Sequence, residues 1–570
     1  MAPARPLLRR RCIDAAGDYG ADIHPVLRRL YAGRGLLSRE LNTGLGGLLP
    51  PDGLLGIDAA AALLAAAIHS GQRIVIAGDY DADGATATAV AVLGLRALGA
   101  AAVDYVVPNR FTMGYGLSPA LVELARARGA ELIVTVDNGI ASLAGVAAAR
   151  AAGMRVLVTD HHLAGAELPA ADAIVDPNQP GCGFASKSLA GVGVMFYVLL
   201  ALRARLRDAG AFAAQAEPNL AALLDLVALG TVADLVRLDH NNRILVAQGL
   251  ARIQAGRARP GVLALLDCAG RARETAGAAD LGFALGPRLN AAGRLDDMRA
   301  GIECLLADDA DTARVLAQQL DRLNRERRGI EAQMREEALD RVIGSTATGV
   351  AVFDPDWHEG VVGLVASKLK DHLHRPVFAF ARAQEPGVLK GSGRSIAGLH
   401  LRDALAAIDA QHPGLILRFG GHAMAAGLTL PEAAYQPFAR LFDDYCRGAL
   451  DAAALEQAID TDGLLSSEEF GLDTALAIER GGPWGQGFPE PLFEGRFSVQ
   501  QARALGEDGR HVRYRLHAGG QRYVEAIHFG GGEQQVSGGR VDLLYRLAVN
   551  RYRDSLAPEL RIEKLWPVEG

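Results

Sequence analysis

The chain has 570 residues, half of them apolar, with 67 glycines and only 5% aromatics, which is more than one ordinary core can hold and predicts three or four α/β domains. Its longest apolar run, Ala59 to Ile68, is too short to cross a bilayer, so no membrane association is expected. A formal charge of −7 excludes a chain that coats nucleic acid indiscriminately, while leaving room for a local basic channel.

The five cysteines are scattered and form no CxxC pair, as in a reduced, cytoplasmic protein without disulfides or zinc knuckles. Arg9-Arg10-Arg11 leads into Cys12-Ile13-Asp14 rather than an apolar stretch, so no signal peptide is expected.

Residues 1–50 are expected to form an N-terminal helical segment, and 51–310 a first α/β domain. Within that domain the apolar runs 73–78, 103–107, 131–136 and 155–159 read as strands. Ala/Leu-rich stretches near 84–98, 118–129 and 141–152 read as helices between them, which predicts a doubly wound parallel sheet. Asp79, Asp137 and Asp160-His161 each follow a strand, where open α/β sheets bind their ligands.

Residues 185–300 read as mostly helical and carry Gly230-Thr231-Val232-Ala233-Asp234 and Gly286-Pro287-Arg288-Leu289-Asn290-Ala291-Ala292-Gly293-Arg294. From Asp311 to Val342 the chain lacks Pro and is rich in Arg, Glu, Gln and Leu, so 311–343 is predicted to be a long, mostly solvent-facing connecting helix. A second α/β domain is expected over 344–446, with strands at 349–353 and near 376–380 and 415–419, and a helix at about 360–373. Residues 447–494 read as a linker. The tail, 495–570, shows period-two segments such as His511-Val512-Arg513-Tyr514-Arg515-Leu516 and reads as an OB-type β-barrel. It carries 12 Arg/Lys against 9 Asp/Glu from Arg496 onward; its alternating Arg and Tyr either bind single strands or stand as solvated residues on a structural barrel.

The chemistry begins at Gly78-Asp79-Tyr80-Asp81-Ala82-Asp83-Gly84. Carboxylates this close repel one another and are costly to hold together unless cations neutralise them. Oxygen ligands combined with the imidazoles of Asp160-His161-His162 favour Mn²⁺ or Mg²⁺ over zinc. Two such ions sharing a carboxylate suit phosphoryl transfer.

Phosphates also call for cations. Arg294 follows Asn290 by four residues and shares a helical face with it. Ser392 and Arg394, in Gly391-Ser392-Gly393-Arg394, read as a glycine-flanked turn able to grip a terminal phosphate. His422, in Gly420-Gly421-His422, belongs either to a tight turn beside a core histidine or to a substrate-contact loop. Arg110 and Tyr115, within Asn109 to Leu117, suggest a phosphate contact and a stacking platform, with core packing as the alternative for Tyr115.

The ordered set Asp79-Tyr80-Asp81-Ala82-Asp83-Gly84, Val136-Asp137-Asn138-Gly139, Asp160-His161-His162 and Gly230-Thr231-Val232-Ala233-Asp234 resembles the DHH phosphoesterase superfamily. With the Gly286–Arg294 motif, Trp357-His358-Glu359-Gly360-Val361-Val362-Gly363, Gly391-Ser392-Gly393-Arg394-Ser395 and Gly420-Gly421-His422, it is similar to the superfamily's single-strand-specific exonucleases from about residue 25 to the tail. The resemblance implies a DHH domain, a DHHA1-like second domain and an OB-type barrel. It also implies a 5′→3′ exonuclease releasing mononucleotides from single-stranded DNA with two Mn²⁺ or Mg²⁺ ions, in recombination and repair. Such an enzyme would work as a monomer, fed by a helicase and a single-strand-binding protein.

Carried over by motif, one ion would be held by Asp79, Asp81 and Asp137, and the other by Asp83, Asp137, His161 and Asp234, with Asp137 bridging. Asp79 stands where other members often carry a histidine, so it is either a ligand or a neighbour of one. His162 would face the scissile phosphate as donor or proton source, or else orient His161. Asn290 and Arg294 would lie near the substrate phosphate. A groove between the two α/β domains would admit a single strand and exclude a duplex, through sequence-independent phosphate contacts. Two other readings remain: a DHH phosphodiesterase or phosphatase for nanoRNA, cyclic dinucleotides or pyrophosphate, which would not need the basic tail, and a non-catalytic DNA-binding subunit, which would not need the full ligand set.

Overall fold

The structure, a computed structural model, describes residues 5–13, 18–110, 112–506, 509–519, 522–552 and 555–568. Phe111 of the Asn109–Leu117 motif lies outside them. The first sheet contains β1 (Arg73–Ala77), β2 (Ala102–Val106), β3 (Leu132–Val136), β4 (Arg155–Thr159) and β5 (Ala173–Val175), all parallel, in the order β2-β1-β3-β4-β5. β3 is buried at every residue, and β1 and β4 at all but the first, because helices cover both faces; such strands read as unbroken apolar runs rather than alternating ones. β5, only three residues long, is the strand that the apolar runs did not announce.

The order reverses between β1 and β3, and a crevice opens outside the carboxyl ends of strands at such a switch point. Asn138 pins it shut from below: its Nδ2 donates to Ala77 O at 3.0 Å and to Val136 O at 2.9 Å, tying the ends of β1 and β3 together. Three helices pack around the crevice: α1 (Ala82–Ala97), α2 (Gly191–Asp208) and α3 (Leu224–Ala233). α1 is buried nearly all round because its Ala, Gly, Thr and Val side chains are small enough to sit between sheet and helices.

A π-helical turn, Leu281–Leu285, runs into α4 (Gly286–Leu295). The connecting helix is α5 (Ala310–Val342), capped by Asp309, whose carboxylate accepts from the N–H groups of Asp311 and Thr312. It buries one stripe, Ala313, Ala317, Leu320, Asn324, Arg327, Met334, Ala338 and Val342, and exposes much of the rest. 

The second α/β unit contains β6 (Val350–Phe353), α6 (Val362–Leu373), β7 (Val377–Arg382), β8 (Val388–Arg394), β9 (Arg418–Gly421) and β10 (Ala425–Pro431). Its sheet order is β9-β10-β8-β7-β6, parallel only between β6 and β7. Ser392 and Arg394 are therefore in a central strand, not in the glycine-flanked turn expected from sequence. The glycines serve packing: a Cβ on Gly391 would lie 2.3 Å from the Phe380 ring, and one on Gly393 2.4 Å from the Phe378 ring. Period-two alternation then sends Ser392 and Arg394 to the opposite face, toward Gly363 of α6.

The stretch read as a linker is built into the molecule. Ala458–Thr461 pairs in parallel with Leu7–Arg10, and helix Leu472–Arg480 packs against the tail. Arg34 and Asp462, whose side chains are 1% and 4% exposed, pair at 2.7 Å. Trp484 stacks on Phe488 with centroids 4.9 Å apart. Short polar and glycine-rich connections hid these contacts, which, apart from the Trp484–Phe488 stack, are distant in sequence.

The tail is a closed barrel, β11 (Phe493–Leu505), β12 (His511–His517), β13 (Tyr523–His528), β14 (Arg540–Tyr552) and β15 (Ser555–Val568), in the order β11-β12-β13-β15-β14. On β12, Val512, Tyr514 and Leu516 point inward and Arg513 and Arg515 outward. Among the described residues no single helix is long and apolar enough to cross a membrane.

Candidate metal centre and substrate groove

The acidic run is held apart by the structure it begins. Asp79 lies in the loop after β1; Asp81 caps α1, accepting from Gly84 N at 3.0 Å; Asp83 sits in the first turn. Both oxygens of Asp83 accept from the start of α2, at 2.6 Å from Gly191 N and 3.0 Å from Val192 N. Asp137, after β3, holds a left-handed φ of 62°, an uncommon conformation that marks functional positions. α2 reaches it only because residue 191 is glycine: a Cβ there would lie 2.5 Å from that of Asp137.

Three overlapping groups of ligand atoms result among the described residues, each mutually within 4.8 Å: Asp79, Asp81 and Asp137; Asp83, His161 and Asp234; and Asp137, His161 and His162. His161 Nε2 joins them, lying 3.1 Å from Asp137 Oδ1, 3.5 Å from Asp234 Oδ2 and 3.9 Å from Asp83 Oδ2. The six residues expected from sequence to hold metal thus converge on one crevice from four chain segments.

Burial pushes the Asp83 carboxyl up to about 7, and the charge of Asp81 adds to the rise. Asp79, Asp137 and Asp234 are likewise raised, by burial first and then by a neighbouring carboxylate, Asp81 for Asp79 and Asp83 for Asp137 and Asp234. His161 is lowered to about 4, by burial and then by His162, which keeps its imidazole neutral. Oδ1 of Asp79 and Oδ1 of Asp137 are buried without a hydrogen-bond partner. Unpaired buried acceptors among repelling carboxylates are expensive, and oxygen donors with one neutral imidazole are the donor set of a hard divalent cation. The residues fit such ions.

Asp160 works differently. Its Oδ1 accepts from His161 N at 2.7 Å, His162 N at 3.2 Å and His162 Nδ1 at 2.7 Å, and its Oδ2 from Ile140 N at 2.9 Å. Burial opposes its charge, but these donors outweigh that and hold it below the usual carboxylate range. Burial also opposes a charge on His162, yet the bond to Asp160 raises it to about 9. Tyr115 is half exposed rather than packed in a core; its hydroxyl donates to Asp137 O at 3.1 Å and lies 3.2 Å from His162 Nδ1. Behind the histidines, Asn178 Nδ2 donates to His161 O at 2.6 Å, and Asp176 Oδ1 accepts from Asn178 N at 2.6 Å.

Cations gather beside the acids. Arg110 stacks its guanidinium 4.2 Å from the Tyr80 ring centroid. Arg294 Nη1 donates to Gly360 O at 3.3 Å, across to the second α/β unit. Burial lowers Arg294 to about 9, and the charges of Arg110, Arg394 and Arg327 press the same way, so these guanidiniums crowd a space that an anion would relieve. Arg394 also donates to Ser392 Oγ at 3.2 Å. Asn290 takes a structural part as well: its Oδ1 accepts from Ala82 N at 2.8 Å, locking α4 to the acidic loop. His422 is exposed in the turn between β9 and β10, not in a core, and is lowered by burial of its ring and then by the charge of His162.

Arg327, Asn178 and Asp176 were not singled out from sequence. Asn324 and Arg327 carried a signal, since they continue the buried stripe of α5 from Leu320 at helical spacing. Asn178 and Asp176 carried none, because their bonds run through backbone carbonyls and turns. A cavity of about 520 Å³, lined by Leu263, Cys268, Arg273 and Arg314 among others, opens elsewhere and contains none of these groups.

Known proteins give this arrangement a lineage. Residues 73–231 match the model of the DHH family, N-terminal domain, residues 345–448 the DHHA1 domain, and residues 461–564 the RecJ OB domain. The single-stranded-DNA-specific exonuclease RecJ of Salmonella typhimurium is 52% identical, over 98% of this chain and 99% of that protein. Its Escherichia coli counterpart is 51% identical over the same shares. Among solved structures, RecJ from Thermus thermophilus in complex with Mn²⁺ superposes with a TM-score of 0.82 at 32% identity, covering 99% of this chain and 80% of that one; its Mg²⁺ complex gives 0.75 at 30% identity, covering 99% and 79%. With all three domain models matched and relatives about half identical over nearly their whole length, the chain belongs to the RecJ family of DHH phosphoesterases.

Proposed function

We propose that the protein is a single-stranded-DNA-specific exonuclease that works 5′→3′ and releases 5′-mononucleotides. The observation that carries this reading is the juxtaposition of two ligand groups, joined through the 3.1 Å approach of His161 to Asp137, with a buried arginine cluster. Relatives that match over nearly their whole length bear the name single-stranded-DNA-specific exonuclease.

Asp79, Asp81 and Asp137 would hold one divalent ion, Mn²⁺ or Mg²⁺, and Asp83, Asp137, His161 and Asp234 a second, with Asp137 common to both. Such ions supply Lewis acidity to the reacting phosphoryl group. The chain's own residues do the rest. Arg110, Arg294, Ser392 and Arg394 bind the terminal phosphate and fix how far the strand enters. His162, fixed at Nδ1 by Asp160, offers Nε2 to the scissile phosphate as hydrogen-bond donor or proton source. Asn290 keeps the Asp81 loop in register, and His422 faces the strand from the opposite wall. A groove walled by both α/β units admits one strand and not a duplex.

In the cell the protein would act in the cytoplasm as a monomer in recombination and repair, on strands opened by a helicase and covered by a single-strand-binding protein. The test is metal counting by titration calorimetry. The wild-type chain is expected to take up two Mn²⁺ ions and Asp137→Ala to lose both high-affinity sites. Full occupancy in Asp137→Ala would refute the shared ligand.

A further inference from the structure

Two exposed apolar side chains, one next to the ligand Asp234 and one on a segment packed against the end of α3, have no part in the chemistry above. Phe283, on the π-helical turn that leads into α4, is 81% exposed. Leu235, directly after Asp234, is 63% exposed and holds a φ of 60°. Left-handed backbone is costly for an apolar side chain, and exposure returns no packing for it. The two segments pack closely: a Cβ added to Gly282 would lie 3.2 Å from Val232, and one added to Gly286 3.0 Å from that of Ala233. Exposed apolar residues scattered singly are ordinary. Two on adjoining segments, one strained and directly after a ligand, the other on a π-turn that runs into α4, are not.

Their direction along the groove follows from α4. Its far end carries Arg294 in the guanidinium cluster, its middle carries Asn290 on the acidic loop, and Phe283 stands just before its start. At about 1.5 Å per residue, Arg294 and Phe283 are about 16 Å apart, a span of a few nucleotides. Beyond the shelf the chain turns toward the barrel, where Leu238 N donates to Gln486 O at 2.7 Å in the stretch leading to β11. We infer that Leu235 and Phe283 form a shelf on which bases of the entering single strand stack, on the 3′ side of the scissile phosphate. Every base has a π face, so such a shelf grips without reading sequence. The inference rests on the exonuclease reading and adds a base-contacting surface to a site otherwise made for phosphates.

The test uses the full chain and a short 5′-phosphorylated oligonucleotide, either intact or with abasic sites near its 5′ end, bound in chelator and followed by fluorescence anisotropy. Wild type is expected to bind the intact strand about tenfold more tightly than the abasic one. Phe283→Ala should bind the two nearly alike, and Phe283→Trp should restore the preference. Leu235→Gly, which relieves the strained φ, should narrow the preference without lowering the melting temperature. Equal wild-type affinity for both strands, or an undiminished preference in Phe283→Ala, would overturn the shelf. Nucleotide release from the intact strand with Mn²⁺, measured separately in wild type, keeps the two readings distinguishable: its absence would remove the exonuclease reading and the shelf with it, whereas release with no base preference would remove the shelf alone.

Discussion

Nδ1 of His162 lies 2.7 Å from Oδ1 of Asp160, an oxygen that also accepts from the backbone N–H groups of both histidines. One buried carboxylate therefore holds the backbone of both histidines and the ring of His162, and the two imidazoles do different work. His161 turns Nε2 toward Asp137 and Asp234, while His162 stays beside Tyr115 at the groove.

Asp160→Asn should keep the shape and lose the acceptor for one of these donors. We expect kcat to fall by roughly 10² or more, as for loss of a positioned proton donor, with single-strand affinity largely kept. Steady-state kinetics beside anisotropy titrations check this, and an unchanged kcat would refute the role given to His162.

Asn178→Ala removes the 2.6 Å bond to His161 O without touching a ligand atom. Groups that orient ligands in this way are worth roughly 10- to 100-fold in metal affinity. Calorimetry should show Mn²⁺ binding weakened by about that range in the variant, and circular dichroism should show the fold retained.

Arg394→Ala should flatten the preference for a 5′-phosphorylated over a 5′-hydroxyl end, since it removes one of the guanidiniums crowded around Arg294. A loss of about tenfold in that ratio corresponds to one charge-assisted contact. Competition between the two substrates measures it, and an unaltered ratio would mean that Arg394 does not meet the end.

Asp462→Ala should destabilise the chain by about 3–5 kcal/mol, because it strands the buried guanidinium of Arg34. Asp462 accepts from Arg34 at 2.7 and 3.0 Å and from Leu492 N at 2.9 Å. A lowered midpoint in urea is expected, little affected by salt because the pair is shielded from solvent.

The sequence carried the centre well and its supports poorly, for physical reasons. Asp79, Asp81, Asp83, Asp137, His161 and Asp234 were legible because clustered carboxylates after strands have few structural uses. The parallel sheet was legible because buried strands write themselves as apolar runs, apart from the short β5. Gly391 and Gly393 misled: a glycine alternating with polar residues suggests a turn, whereas here each makes room for a phenylalanine ring on the neighbouring strand. Arg327 hid in a helix whose charged majority faces water, and the 447–494 stretch hid because Asp462 finds Arg34 across most of the chain.

The most direct test of the central claim is a time course on single-stranded DNA labelled at either end, with Mn²⁺ or with chelator. The account predicts that a 5′ label appears at once as mononucleotide, that a 3′ label appears only as the strand is exhausted, and that chelator stops both. Early release of the 3′ label, or release that persists in chelator, would contradict it.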